Sequence, residues 1–362
     1  MPFSKVVDED LGALLHDLGD ELAKFAGATV LITGAAGFLM SYLVDVLMGW
    51  NRAGHGEPCR VLALDNFKTG LPGRLAHLDG ASHMRLITHD ISQPLAIDEP
   101  INWIVHGASI ASPMVYRQFP LETLDANVGG TRLLLELARR NPMRGMVVMS
   151  TSEIYGDPDP AFIPTPEDYR GFVSCTGPRA CYDEGKRVAE TYAMVYFRAH
   201  GVPVKLVRPF NVYGPGLRLD DRRVLPDFMT QVMNDEPIVL LSDGRPTRAF
   251  CYITDAAALM IRILLAHAPG EAFNVGNDER EISMLELARL TAKVGAEVLG
   301  RAPIGVEAKV SEDRDYLTDN PQRRLADLAK ARRYFPAWSP KVKLEEGLAR
   351  TFRHHAEKAA SA

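Results

Sequence analysis

The 362-residue chain reads as an α/β protein built on a doubly wound parallel sheet, and three observations predict that class. Short β-branched runs alternate with helical patterns from residue 28 to about residue 275. The first run, Ala28–Thr33, opens into the turn Gly34-Ala35-Ala36-Gly37 and then into a helix through about Trp50. Several later runs end in polar residues, as parallel strands do where a ligand crevice lies beyond their carboxyl ends.

Taken in order, Leu11, Leu14, Leu15, Leu18 and Leu22 lie at helical spacing and predict an amphipathic helix over residues 7–25. Residues 1–27 are thus a helical extension with a packing role. The glycine turn after the first strand makes an anion site, because amides at a helix N-terminus and the helix dipole both favour a pyrophosphate. The second strand, Arg60–Leu64, ends in Asp65-Asn66-Phe67. A carboxylate there suits the two hydroxyls of an adenosine ribose and repels a 2′-phosphate, so NAD is expected over NADP.

Met84–Thr88 is a strand closing on His89-Asp90-Ile91, an expected adenine contact. Trp103–His106 is the next, followed by Gly107-Ala108-Ser109, and a helix over about 121–140 carries Asn127. Met146–Met149 ends in Ser150-Thr151-Ser152-Glu153, which brings hydroxyls and a carboxylate to the crevice. Val204–Arg208 leads into Pro209–Pro215. Beyond it the pattern loosens into a helix near 225–234, a strand over Ile238–Leu241, a helix after Asp255, a strand over Ala272–Val275, a helix from about Ser283 and a polar segment, Asp319–Leu328. Residues 28–212 read as a dinucleotide-binding domain with a returning segment near 245–275, and residues 213–362 as a smaller substrate-binding lobe.

Composition removes several alternatives. A net charge of −5 without a polybasic stripe gives no footprint for nucleic acid. The four cysteines are scattered without metal-ligand spacing, so reduced thiols and no metal are expected. The N-terminus has no signal-peptide pattern and no window is apolar enough for a membrane span, so a soluble, cytoplasmic protein is expected.

The chemistry centres on Thr176–Glu190, TGPRACYDEGKRVAE. Tyr182 and Lys186 are four apart on a predicted helix and share one face. An ammonium beside a phenol favours the phenolate, which turns a poor base into a usable one. Such pairs are common by chance, and the surroundings decide.

Here the surroundings resemble a family. TGxxG after the first strand, DNF after the second, STSExYG and YxxxK resemble the extended short-chain dehydrogenase/reductases of the epimerase/dehydratase kind, which act on nucleotide sugars on a Rossmann-type fold. Within them GPRACYDEGKRVAET is similar to the UDP-glucuronate decarboxylases (UDP-xylose synthases), with further matches in DNFKTG at 65–70, ASIASPMVY at 108–116, FNVYGPG at 210–216, TRAF at 247–250 and DNPQRRLADL at 319–328. The resemblance covers roughly residues 28–350. It implies NAD held by Gly34, Gly37, Phe38, Leu39, Asp65, Asn66, Phe67, Thr69, Gly70, Asp90, Ile91 and Ala108, beside Tyr182 and Lys186. It implies a nucleotide sugar, most simply a UDP-sugar, held by Pro113, Tyr116, Asn127, Asn211, Arg223, Arg248 and Arg324. Catalysis is implied for Tyr182 and Lys186, with Thr151 and Ser152 on the reacting oxygen, Glu153 near C5 and C6, and Arg324 assisting proton delivery. A homodimer through the helices at 121–140 and 182–199 is implied as well.

Thr-Ser-Glu at 151–153 also occurs in GDP-mannose dehydratases, whereas 4-epimerases commonly lack the carboxylate. Decarboxylation is therefore the expectation, with a 4-epimerase, a 4,6-dehydratase or a non-catalytic NAD/nucleotide-sugar binder as alternatives. The chain departs from the pattern at Met40, where a third glycine is usual, at Gly216, at Asp220–Arg223 and at Leu241-Ser242. A side chain at position 40 must shift the helix or fill a pocket.

Overall fold

Val30-Leu31-Ile32 and Val61-Leu62-Ala63-Leu64 have no polar face to offer water, so they can only be strands covered on both sides. The computed structural model, which describes residues 4–309, 318 and 321–361, places them in that setting. Helix α1 (Lys5–Leu18) and a 3-10 segment over Gly19–Phe25 precede strand β1 (Thr29–Thr33). Then follow α2 (Phe38–Ala53), β2 (Arg60–Asp65), β3 (Met84–Thr88) and β4 (Trp103–His106). Helices α3 (Pro113–Gln118) and α4 (Pro120–Leu124) lead into a π-helical turn, Asp125–Gly130, and α5 (Thr131–Arg139). Strand β5 (Gly145–Met149), helix α6 (Ala180–His200) and strand β6 (Val204–Pro209) come next.

The later part holds β7 (Asn211–Tyr213), α7 (Val224–Met233), β8 (Ile238–Leu240), β9 (Thr247–Arg248) and β10 (Phe250–Tyr252). It continues with α8 (Ile253–Leu265), β11 (Ala272–Val275), β12 (Ile282–Ser283), α9 (Met284–Leu299) and β13 (Val306–Ala308). Strand β14 (Arg323–Arg324), α10 (Ala329–Tyr334) and α11 (Leu344–Ser361) end it.

The central sheet runs β3-β2-β1-β4-β5-β6-β11, and every pairing in it is parallel. This is the doubly wound order, extended by one strand, and it confirms the expected fold class. Helices α2 and α8 cover one face, with α1 beyond them, and α5 and α6 cover the other. Every residue of α8 is buried, because it lies between the sheet and α1.

Several expectations need correction. The helix expected after Asp255 begins at Ile253, so Asp255 sits in its first turn and accepts the Val342 amide at 3.0 Å. The single helix expected over 121–140 is interrupted by the π turn that carries Asn127. The parallel pair β7–β10, the small sheet β12-β9-β14 and helix α11 were not foreseen. Asp319 and Asn320 of the expected polar segment lie outside the described residues.

The extension packs as the leucine spacing predicts. Leu15 of α1 lies over Gly49 of α2, where a Cβ would stand 3.1 Å from its Cδ1. Asp10 is fully buried; it accepts the Tyr252 hydroxyl at 2.7 Å and the Arg350 guanidinium at 2.9 Å, so one carboxylate joins α1, β10 and α11. Burial pushes that carboxyl up to about 6 against the pull of both partners. Arg262 of α8 reaches Asp17 at 2.8 Å and Glu21 at 2.9 Å.

Removing one partner of a buried charged pair leaves the other uncompensated. Asp10→Ala should cost about 3 kcal/mol in denaturant unfolding at neutral pH. Asp10→Asn, which keeps an acceptor for Tyr252, should cost less. An unchanged midpoint for the alanine variant would show that the pair does not hold α1 in place.

Candidate active site

Strand order reverses between β1 and β4, and a cavity of about 410 Å3 lies beyond their carboxyl ends. Gly34 has φ +69°, and a Cβ on it would stand 2.8 Å from the backbone of Ala108, so the turn after β1 and the loop after β4 meet backbone to backbone. Gly37 is the N-cap of α2 and no side chain caps that helix; Gly37, Phe38 and Leu39 line the cavity. The uncapped first turn leaves its amides free of a side-chain cap, the form that suits an anion.

Asp65 is buried and accepts the amides of Ala36 at 2.9 Å and Phe67 at 2.7 Å. Burial raises its pKa and those amides pull against the rise. The carboxylate therefore ties the glycine turn to the loop after β2. A Cβ on Gly70 would lie 2.8 Å from both carboxylate oxygens. Asp65, Asn66, Thr69, Gly70, Asp90, Ile91 and Ala108 line an adjoining pocket, where Asn66 donates to Asp90 at 3.0 Å. A glycine cradle, an uncapped helix start and a buried acid fit a dinucleotide without a 2′-phosphate. Phe67 is the exception among the expected contacts: with φ +57° it turns into the core and lines neither pocket.

Met40 is buried. Its thioether lies over Gly107 at the end of β4, where an added Cβ would come within 2.5 Å of Sδ. Position 107 gives up its side chain so that position 40 can keep one.

Tyr182 and Lys186 project from the start of α6, both buried, and Thr151 and Ser152 stand at the end of β5. All four line the cavity. Tyr182 stacks on Tyr116 with ring centroids 5.1 Å apart. The expected lowering of the phenol by Lys186 is not found in the protein alone. Burial pushes Tyr182 up to about 12, the Thr151 hydroxyl opposing it, and burial pushes Lys186 down to about 7. Desolvation penalises phenolate and ammonium alike, and the Lys186 ammonium donates to the Met149 carbonyl at 2.7 Å.

Glu153 meets two guanidiniums. Arg324 grips it in a fork, one bond at 2.8 Å, and Arg179 holds one of the same oxygens. Burial works to raise its pKa, but Arg324 and then Arg179 prevail and hold the carboxylate ionised. A protonated, donating Glu153 is thereby set aside. Arg179 was missed by the motif reading, although it lies in the quoted stretch and stands four residues before Asp183, one turn away.

Of the expected substrate residues, Pro113, Tyr116, Asn211 and Arg223 line the cavity. Arg223 pairs with Asp221, and the Asn211 amide donates to the Ala249 carbonyl at 3.2 Å. Asn127, Arg248 and Arg324 do not reach the cavity wall. Asn127 accepts the Ser109 hydroxyl at 2.7 Å from beneath, and Arg248 spends its guanidinium on the carbonyls of Thr247 and Pro321 at 2.8 and 2.7 Å. Arg324 stands behind Glu153.

Lys186 binds fewer protons folded than unfolded between about pH 7 and its ordinary value of 10.5, so its contribution makes stability rise with pH across that window. Lys186→Met should therefore unfold at higher denaturant than the parent at pH 7, with the gap closing toward pH 10. A gap independent of pH would rule out a desolvated ammonium.

Residues 30–276 match the model of the NAD dependent epimerase/dehydratase family. UDP-glucuronic acid decarboxylase 3 of Arabidopsis thaliana is 40% identical over 319 residues, 88% of this chain and 86% of that protein. UDP-glucuronic acid decarboxylase 1 of Xenopus tropicalis is 38% identical over 325 residues, 90% of this chain and 71% of that protein. Among solved structures, a UDP-glucuronic acid 4-epimerase from Bacillus cereus, in complex with UDP-glucuronic acid and NAD, is similar with a TM-score of 0.76. It is 26% identical, over 91% of this chain and 99% of its own. The dTDP-glucose 4,6-dehydratase DesIV from Streptomyces venezuelae, with NAD bound, has a TM-score of 0.78 at 25% identity, over 92% of this chain and 98% of its own. The glycine cradle, the buried acid after β2, the Tyr182/Lys186 pair and these likenesses agree, and the chain belongs to the NAD-dependent epimerase/dehydratase family.

Proposed function

We propose that the protein is an NAD-dependent decarboxylase of UDP-glucuronate, acting through oxidation at C4 and yielding UDP-xylose or the 4-keto pentose. The observation that carries this reading is the ionised Glu153, set between Arg179 and Arg324 beside Tyr182. So much fixed charge suits a sugar that brings a carboxylate of its own. The relatives at 38–40% identity named as decarboxylases support it.

The glycine turn and Asp65 would hold NAD, which when bound would supply the hydride acceptor for C4 and a positive ring that favours the Tyr182 phenolate. Tyr182 takes the proton of the 4-hydroxyl, and Thr151 hydrogen-bonds the oxygen as its charge develops. A 4-keto hexuronate is a β-keto acid, so CO2 leaves with the electron pair delocalised into an enolate. Glu153 stays anionic and orients the substrate; its charge disfavours a neighbouring carboxylate and favours release of neutral CO2. Arg223 at the cavity rim takes the diphosphate. A 4-epimerase is the second reading, favoured by the overall likeness to the Bacillus cereus enzyme.

Mass spectrometry of UDP-glucuronate incubated with the protein and NAD separates these. A product lighter by CO2 is expected if C4 is re-reduced, and one lighter by a further two hydrogens, with NADH formed, if the 4-keto pentose is released. An unchanged mass with inverted C4 by NMR would establish the epimerase; a 4,6-dehydratase needs a 6-hydroxyl, which a hexuronate lacks, and would be revealed by loss of water from UDP-glucose. Tyr182→Phe should lower turnover by about 10²- to 10⁴-fold with substrate binding retained, which a mere binder could not show.

We also propose a homodimer. Leu121 on α4 and Val195 on α6 are 71% and 51% exposed, and with Val188 they form an outward apolar face on two adjacent helices. Sedimentation at micromolar concentration should give twice the chain mass, and a monomer would contradict the pairing. Among the described residues no helix is long and apolar enough to cross a membrane and all four cysteines are free thiols, which supports a cytoplasmic setting.

A further inference from the structure

The charged groups around Glu153 form two ranks. The side chains of Glu153 and Arg179 keep 20% and 14% of their accessibility and line the cavity. Asp183 and Arg324, at 7% and 6%, stand behind them. Arg324 is committed through both of its terminal nitrogens, which are spent on Glu153, although its Nε also lacks a partner. Arg179 is not. One terminal nitrogen reaches Glu153, and its Nε lies 3.5 Å from Asp183 without the geometry of a hydrogen bond. That Nε and the Asp183 Oδ1 are both buried without a hydrogen-bond partner.

A buried guanidinium with bonds unmade on the side of its second carboxylate can re-pair without entering water. We propose that Arg179 clasps the sugar carboxylate of the hexuronate, and that Asp183 is a positioning residue that holds the guanidinium at the cavity wall as it shifts from Glu153 to the ligand. This rests on the decarboxylase reading.

Backbone geometry makes the holding rigid. Arg179 is the N-cap residue of α6 and Asp183 lies one turn into that helix, directly after Tyr182. Clamp, holder and the reactive pair therefore move as one body. Burial, and then Glu153, push the Asp183 carboxyl up to about 7, as expected of a carboxylate that its arginine only half pairs.

A purely structural Asp183 would serve every ligand equally, and this separates the two roles. Binding of UDP-glucuronate and of UDP-glucose is measured on the full chain loaded with NAD, in a Tyr182→Phe background that stops turnover. Asp183→Asn should weaken UDP-glucuronate by about tenfold or more and leave UDP-glucose within about twofold. Arg179→Lys, which keeps the charge and loses the fork, should show the same selectivity and serves if the first variant does not fold. Equal losses for both ligands, or no loss for either, would overturn the clamp. If the wild-type protein releases no CO2 from UDP-glucuronate, the decarboxylase reading falls and the clamp falls with it. A competent enzyme whose variants do not discriminate removes the clamp alone.

Discussion

A carboxylate that stays ionised out of water must be met by positive charge, and the Glu153 carboxylate organises the later half of this chain around that need. Its partners come from the start of α6 and from Arg324, 171 residues away in sequence. Arg324 is delivered by β14, which pairs with β9 in the register Arg324↔Arg248, and β9 pairs in turn with β12. A strand of two residues would not persist alone. These do because Arg248 stitches the same segments through backbone carbonyls, and because β14 ends on a charge that cannot be left unpaired. The small sheet is best understood as the support of one ion pair.

How much of this was legible in the sequence follows from how local each signal is. Trp103–His106 and Ala272–Val275 were read to the residue, because a buried parallel strand carries its own apolar signature, and Met84–Thr88, an edge strand with no buried residue, was read from its place in the β-α alternation. The cradle of Gly34 and Gly37 and the acid at Asp65 were legible because chemistry fixes both residue type and spacing. The pairs β9, β12 and β14 were not, since two residues hold no periodicity and pair only through tertiary contacts. Phe67 was assigned through the resemblance at DNFKTG, and its ring packs against the core instead of lining either pocket. Asn127, Arg248 and Arg324 fell in the right motifs, yet a motif does not say which rank of a buried cluster a side chain will occupy. Arg179 was overlooked beside the more familiar pair it accompanies.

Burial sets the temper of the reactive groups as well. The phenol of Tyr182 and the ammonium of Lys186 are both held in their neutral-favouring direction, and His106, pushed down to about 3 by burial and then by Lys186, stays uncharged beneath them. Beside groups so deeply buried, an added charge matters more than it would at the surface. A site of this kind spends folding stability to remain responsive. Asp17, held against burial below its usual range by Lys341 and Arg262, ties α1 to α8 and offsets part of that cost.

The contact between Met40 and Gly107 bears on how this protein can change. Elsewhere in such folds the helix gives up its side chain so that the strand may approach; here the concession has crossed the crevice to the end of β4. The two positions are coupled through packing, since a glycine at 40 alone would leave a hollow the size of a thioether and a side chain at 107 alone would meet Met40. Each change costs stability by itself, and the paired exchange relieves both costs at once.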